Sequence, residues 1–138
     1  MPLFAYGTLR DPEYQRELFD RTYPMRPAAV DGYRVVGTDG GYLAALPLAG
    51  AAAFGALVEL DAAGYAIADA WEDRSVYDRI EVAARCGERM ERCFIYVYAR
   101  PVSAGVPVAD GRLSDRTRAE VIRDIRRFRA SADFPRSP

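Results

Sequence analysis

A chain of 138 residues, half of them hydrophobic, has the material for one domain with its own core. Its formal net charge of -1 excludes an overall electrostatic bias toward nucleic acid or a membrane surface. It has no His and no Lys, which excludes Ser-His-Asp and Cys-His catalysis, His-ligated metal, Schiff-base chemistry and a P-loop lysine. Two cysteines, Cys86 and Cys93, are too few for an all-cysteine zinc site.

In chain order, Pro2 to Tyr6 reads as a short apolar strand running into Gly7-Thr8. Asp11 and Pro12 then supply an N-cap and a first-turn proline for a helix to about Phe19. Arg26 to Val36 reads as a strand with a turn at Asp31-Gly32. Tyr42 to Leu46 and Ala52 to Leu60 read as two strands about a Gly50 turn. Asp61 is the expected N-cap of a helix from Ala62 to about Glu72. Val76 to Ala84 and Glu91 to Tyr98 read as an antiparallel hairpin about Gly87-Glu88, and Pro101 to Gly111 as a loop. Ser114 is read as the cap of a C-terminal Arg-rich helix within 112–130, with 131–138 as a frayed tail. The whole, 1–138, reads as one domain of α+β class, a small mixed β-barrel or curved sheet with flanking helices.

The charge is unevenly spread. From Arg112 onward there are eight Arg against four acids. Ile122, Ile125 and Phe128, with Val121 alongside, form an apolar stripe among these arginines, so the segment is expected to pack on the barrel or on a second subunit rather than on nucleic acid. The N-terminus lacks a basic and then long apolar leader, and no apolar run reaches the ~20 residues of a membrane helix. The expectation is a cytoplasmic protein with reduced thiols, no membrane association and a monomeric or homodimeric state.

Titratable chemistry then falls to carboxylates, tyrosines and thiols. Tyr6-Gly7-Thr8-Leu9 follows the first strand directly, where a Gly lets successive backbone N–H groups converge on an anion; an ordinary strand-to-helix turn is the alternative. On a helical wheel Glu72 falls within the arc of Gly64, Tyr65, Ala68 and Trp71, whereas Asp69 and Asp73 fall outside it. An inward carboxylate is either a general base of raised pKa or a structural partner of a cation such as Arg79. Tyr96 and Tyr98 share a strand face with Phe94, and Tyr77 lies on the facing strand. Cys93, mid-strand among apolar residues, reads as a buried thiol and not a nucleophile.

Together, the Tyr6-Gly7-Thr8-Leu9 loop, Leu46-Pro47, the strand Phe54-Gly55-Ala56-Leu57-Val58, the segment Trp71-Glu72-Asp73-Arg74-Ser75-Val76-Tyr77-Asp78-Arg79 and Cys93-Phe94-Ile95-Tyr96 resemble the γ-glutamylcyclotransferase-like superfamily, which includes the AIG2-like proteins. The resemblance covers roughly residues 2 to 100. It implies a small β-barrel fold, a substrate loop at Tyr6, Gly7, Thr8 and Leu9, a catalytic carboxylate at Glu72, and pocket tyrosines at Tyr77 and Tyr96. It also implies no metal, no organic cofactor, and release of 5-oxoproline from a γ-glutamyl compound. Two departures bear on the shape of the pocket: Asp73 stands where the family has Gly, and the spacing from Glu72 to Tyr77 is slightly longer. A small-molecule binding protein, or an acyltransferase or hydrolase on the same fold, is the alternative.

Overall fold

A computed structural model describes residues 1–38, 40–73, 75–98, 106–107 and 112–136. Six strands form one sheet: β1 (Leu3–Ala5), β2 (Met25–Gly37), β3 (Leu43–Val58), β4 (Tyr77–Cys86), β5 (Arg89–Tyr98) and β6 (Val106–Pro107). Three helices flank it: α1 (Pro12–Phe19), α2 (Ala62–Glu72) and α3 (Arg118–Ala130). The strand order is β1-β3-β5-β4-β2-β6, and an additional β2–β3 pairing closes β3, β5, β4 and β2 into a barrel. Closure removes the unpaired edges that an open sheet of these strands would expose. The expected α+β class and mixed barrel with flanking helices are what the chain adopts.

Local signals account for most of the elements. Asp11 caps α1 through the N–H groups of Glu13 (3.0 Å) and Tyr14 (3.1 Å), with Pro12 in the first turn. Asp61 caps α2 through Gly64 N–H at 2.7 Å. β4 and β5 pair as a hairpin from Tyr77↔Tyr98 to Cys86↔Arg89. Both cysteines are free thiols.

Three expectations need correction. The segments about Gly32 and Gly50 do not reverse the chain. β2 and β3 pair along nearly their full length, and the register shifts between Asp31 and Tyr33, which face Ala52 and Pro47. The two turn signals lie opposite each other in one wide bulge, which bends the strand pair toward barrel closure. The C-terminal helix starts at Arg118, capped by Thr117 and not by Ser114. Only Thr117 has an acid three residues on. Glu120 N–H donates to Thr117 Oγ1 (3.2 Å) while Thr117 N–H donates to Glu120 Oε1 (3.0 Å), and no such reciprocal pair is open to Ser114. Finally, 131–136 is not frayed: the Phe134 ring packs on Phe128 at 5.5 Å and Arg136 donates to the carbonyls of Ser131 (3.0 Å) and Arg129 (3.2 Å). The expected loop at 101–111 lies outside the described residues except for β6.

The core has two layers separated by β1, which is buried on both faces. Phe4 and Tyr6 point into the barrel with Val30, Leu57, Cys93 and Ile95. Leu3, Ala5 and Leu9 face the helices, where they meet Leu18, Ala68, Val121 and Ile125. The predicted stripe of α3 is thus packed on the protein's own core. Arginines on its flank grip acids at and along α1: Arg118 holds Asp11 (2.9 Å) and Glu13 (3.0 Å), Arg126 holds Glu17 (2.9 Å), and Arg129 holds Asp20 (2.6 Å). Among the described residues no helix is long and apolar enough to cross a membrane.

Candidate active site

The end of β1, the end of α2 and the C-terminal half of α3 converge on a cavity of about 560 Å³. Tyr6, Gly7, Thr8, Leu9, Glu72, Tyr77 and Tyr96 all line it. Seven residues scattered over ninety positions of sequence are therefore brought to one space.

The loop after β1 is a single 3₁₀ turn, Thr8–Arg10. Its carbonyls are used inside the turn, where Arg10 N–H donates to Gly7 O (3.3 Å) and Asp11 N–H to Thr8 O (3.1 Å). Among the described residues the N–H groups of Gly7, Thr8 and Leu9 have no such acceptor, while all three residues border the cavity. Gly7 is also sterically confined. A Cβ there would lie 3.3 Å from the carbonyl oxygen of Leu113, so a side chain would require the loop or Leu113 to give by a few tenths of an ångström. Behind the loop sits Gln15, fully buried: its amide donates to Leu9 O (2.8 Å) and its carbonyl accepts from Tyr23 N–H (2.9 Å).

Glu72 ends α2 facing the cavity. Among the described residues its carboxylate has no hydrogen bond or ion pair. Desolvation by the surrounding protein, followed by the nearby Asp69 charge, raises its pKa from 4.5 to about 8. The pairing with Arg79 that would make this residue structural is not formed. Arg79 pairs with Asp69, at 3.3 Å, and is stacked against the rings of Tyr65 (4.5 Å) and Phe94 (4.6 Å).

The tyrosines form walls and hold strands together. Tyr6 donates its hydroxyl to Tyr96 O (2.7 Å) and accepts from Ala45 N–H (3.2 Å), bridging β5 and β3. Tyr77 donates to Leu43 O at 2.9 Å, and its ring lies 5.2 Å from that of Tyr98. Tyr96 donates to Asp69 Oδ1 at 2.6 Å. Burial is the first cause, and the Glu72 charge a further one, of raised pKa values for all three phenols. They stay protonated, so they shape the cavity without serving as bases. Cys93 is fully buried, and burial pushes its thiol up to about 11, which leaves it inert as expected.

The helical wheel misplaced Asp69. It puts Asp69 outside the inner arc, yet Tyr96 reaches up from β5 to bond it beside Glu72. Its position one turn before Glu72 was the available signal. Asp73 also gains an account. It closes α2 with φ 61°, a conformation that favours the Gly found in the family pattern, and its carboxylate compensates by accepting from Ser75 N–H (3.0 Å) and Ser75 Oγ (2.6 Å). The outer cavity wall was not foreseen at all: Tyr42, Trp71 and Phe128 stack edge to face in series, with centroids 5.6 Å apart at each step.

Comparison with known proteins agrees with the fold. The fold is similar to that of an Arabidopsis thaliana protein solved in solution (TM-score 0.63, 22% identity, 70% of this chain and 61% of that one). It is similar to a gamma-glutamyl cyclotransferase (TM-score 0.59, 17% identity, 71% and 66%). It is also similar to an AIG2-like protein from Mus musculus (TM-score 0.60, 21% identity, 74% and 79%). The chain thus spans about three fifths of the length of the Arabidopsis protein it matches. No curated protein sequence matches it significantly. The family model described as gamma-glutamyl cyclotransferase, AIG2-like, matches residues 3–115, and the chain belongs to that family.

Proposed function

We propose that the protein is a cofactor-free cyclotransferase that releases 5-oxoproline from a γ-glutamyl amine or γ-glutamyl amino acid, with Glu72 as general acid/base. One observation carries the reading: a carboxylate of raised pKa, unpaired among the described residues, shares a cavity with three backbone N–H groups that have no acceptor among them.

The reaction needs no enzymatic nucleophile, which suits a chain without His or Lys. The substrate's own α-amine attacks its γ-carbonyl carbon. A new C–N bond closes the five-membered ring, and the original γ-amide C–N bond breaks. Because the attack is intramolecular, the walls formed by Tyr6, Tyr77 and Tyr96 accelerate it by holding the closing rotamer. An α-ammonium titrates near 8, close to the value of Glu72. Proton transfer between them is therefore nearly balanced, the condition under which a general base works best. Glu72 accepts the proton of the α-ammonium, and the protonated carboxyl then delivers one to the departing nitrogen. The N–H groups of Gly7, Thr8 and Leu9 hold an oxygen of the γ-glutamyl unit, either its α-carboxylate or the oxyanion that forms at the γ-carbon.

The test is a screen of γ-glutamyl dipeptides and γ-glutamylamines for 5-oxoproline release. The expected result is release from at least one of them by the wild-type protein, and loss of that release in Glu72→Gln. No release from any member of the panel, or full turnover by the Gln variant, removes the reading.

A further inference from the structure

The outer part of the cavity includes residues beyond the family-matched segment, which ends at 115. α3 and the turn after it contribute Asp124, Arg127, Phe128, Ser131 and Asp133. Their charges are not equivalent. Asp124 is neutralised by Arg116 Nε (2.9 Å) and bonded by the Tyr42 hydroxyl (2.7 Å). Asp133 is shared with a neighbouring depression, which it lines together with Asp69 and Asp73. Arg127 differs from Arg116, Arg118, Arg126 and Arg129, each of which holds a carboxylate of the protein itself. Arg127 is exposed at the cavity and, among the described residues, makes no ion pair, hydrogen bond or ring contact.

We propose that Arg127 receives a carboxylate on the leaving portion of the substrate, so that the protein prefers a γ-glutamyl amino acid to a γ-glutamyl amine lacking that carboxylate. The inference rests on the cyclotransferase reading above. Thr8 and Leu9 are buried and mark the inner end, where the γ-glutamyl unit reacts; exposed Arg127 marks the mouth, where the leaving portion emerges. The other charged side chains of the cavity, Glu72, Asp73, Asp124 and Asp133, are acidic. A carboxylate on the leaving portion therefore has one cation to meet among the described lining residues, at the mouth. A guanidinium is suited to it, because its planar fork accommodates both oxygens of a carboxylate. A structural role is the competing account, since Arg127 lies in the last turn of α3, where a cation complements the helix dipole. That role affects stability and leaves ligand discrimination unchanged.

γ-Glutamylalanine and γ-glutamylethylamine differ only in the carboxylate at issue. The experiment measures kcat/KM for 5-oxoproline release from each, in wild type, Arg127→Ala and Arg127→Lys. It also measures Kd for each by calorimetry in a Glu72→Gln background. The expected wild-type preference for γ-glutamylalanine is roughly fivefold, the size of an ion pair at a solvent-open rim. Arg127→Ala should abolish the preference and Arg127→Lys should keep part of it. Equal losses on both ligands, or no wild-type preference, overturn the proposal. If neither compound nor any other member of the panel is turned over, but the binding preference exists and vanishes in Arg127→Ala, the carboxylate site stands and the cyclotransferase reading falls. No binding and no turnover of either compound overturns the proposal, and no release from the rest of the panel overturns the cyclotransferase reading with it.

Discussion

Glu72 and Asp69 sit one turn apart on α2 with opposite fates. Asp69 is held by Tyr96 and Arg79, whereas Glu72, inside a cavity, has no partner among the described residues. Glu72→Gln keeps the shape and removes the proton acceptor, so kcat on a γ-glutamyl substrate should fall about 10²–10⁴-fold. The same variant separates a base from a structural ion pair through its stability. A carboxyl raised from 4.5 to about 8 by folding stabilises the folded form fully below the unfolded value, and that contribution is lost as pH rises toward 8. Gln does not titrate. The melting temperature of the variant relative to wild type should therefore shift in the variant's favour between pH 5 and 8, by the equivalent of a few kcal/mol. A Gln variant less stable than wild type, by an amount that grows with pH, would mean that the carboxylate is paired after all. Asp69→Asn keeps a bonding partner for Tyr96 but removes the charge that adds to burial in raising Glu72. The acid limb of the pH profile of kcat/KM should move to lower pH while remaining well above the ordinary carboxylate range. An unmoved limb would show that Asp69 is not coupled to the base.

The elements that carry these residues are held from behind. The turn after β1 is too short to be rigid alone, and Gln15 of α1 ties it to the chain entering β2. Gln15→Leu is close in size but would leave Leu9 C=O and Tyr23 N–H buried without their partners. Each orphaned group costs about 1–3 kcal/mol, so the expected loss for the two is roughly 2–6 kcal/mol in urea unfolding, with a lower kcat/KM in whatever folded protein remains. Loss of stability with unchanged turnover would mean that the loop keeps its geometry without Gln15. α3 is positioned by a capping box at its start, an apolar stripe on the core and three arginines reaching across to α1 and its ends. Its reward is a wall: Phe128 meets Trp71 of α2, which meets Tyr42.

Closure of the barrel is what makes the cavity possible. β1 enters the ring beside β3, antiparallel from Leu3↔Val58 to Ala5↔Ala56, and touches β5 in parallel at Leu3↔Phe94. This fit depends on Gly55. A Cβ there would lie 2.2 Å from the carbonyl oxygen of Ala5 and 3.1 Å from the Phe4 ring. The clash is with backbone, so relief requires β1 to move, and β1 leads straight into Tyr6-Gly7-Thr8. Gly55→Ala should cost about 3 kcal/mol or more by denaturant midpoint and should lower turnover in the same protein. A variant with wild-type midpoint and activity would show that β1 accommodates the side chain.

Residues 62–72 spell out their helix in order, from the Asp61 cap to Glu72, and the β4–β5 pair announces itself by a Gly turn between two β-rich runs. Such signals lie within one or two turns of chain, where capping and side-chain period act without tertiary help. The motif residues Tyr6 to Leu9, Glu72, Tyr77 and Tyr96 were legible for a related reason, since a short ordered pattern survives where overall identity does not. Long-range packing settled the rest. Two turn signals became one bulge because β2 and β3 found each other along their whole length. Asp69 is tied to the cavity's wall because a tyrosine on β5 reached it. The outer wall came from α3, whose arginines look alike in sequence and part company in space: most meet an acid on another element, and Arg127 meets the cavity. Which side chain finds a partner depends on contacts between residues more than a hundred positions apart, and no local pattern encodes them.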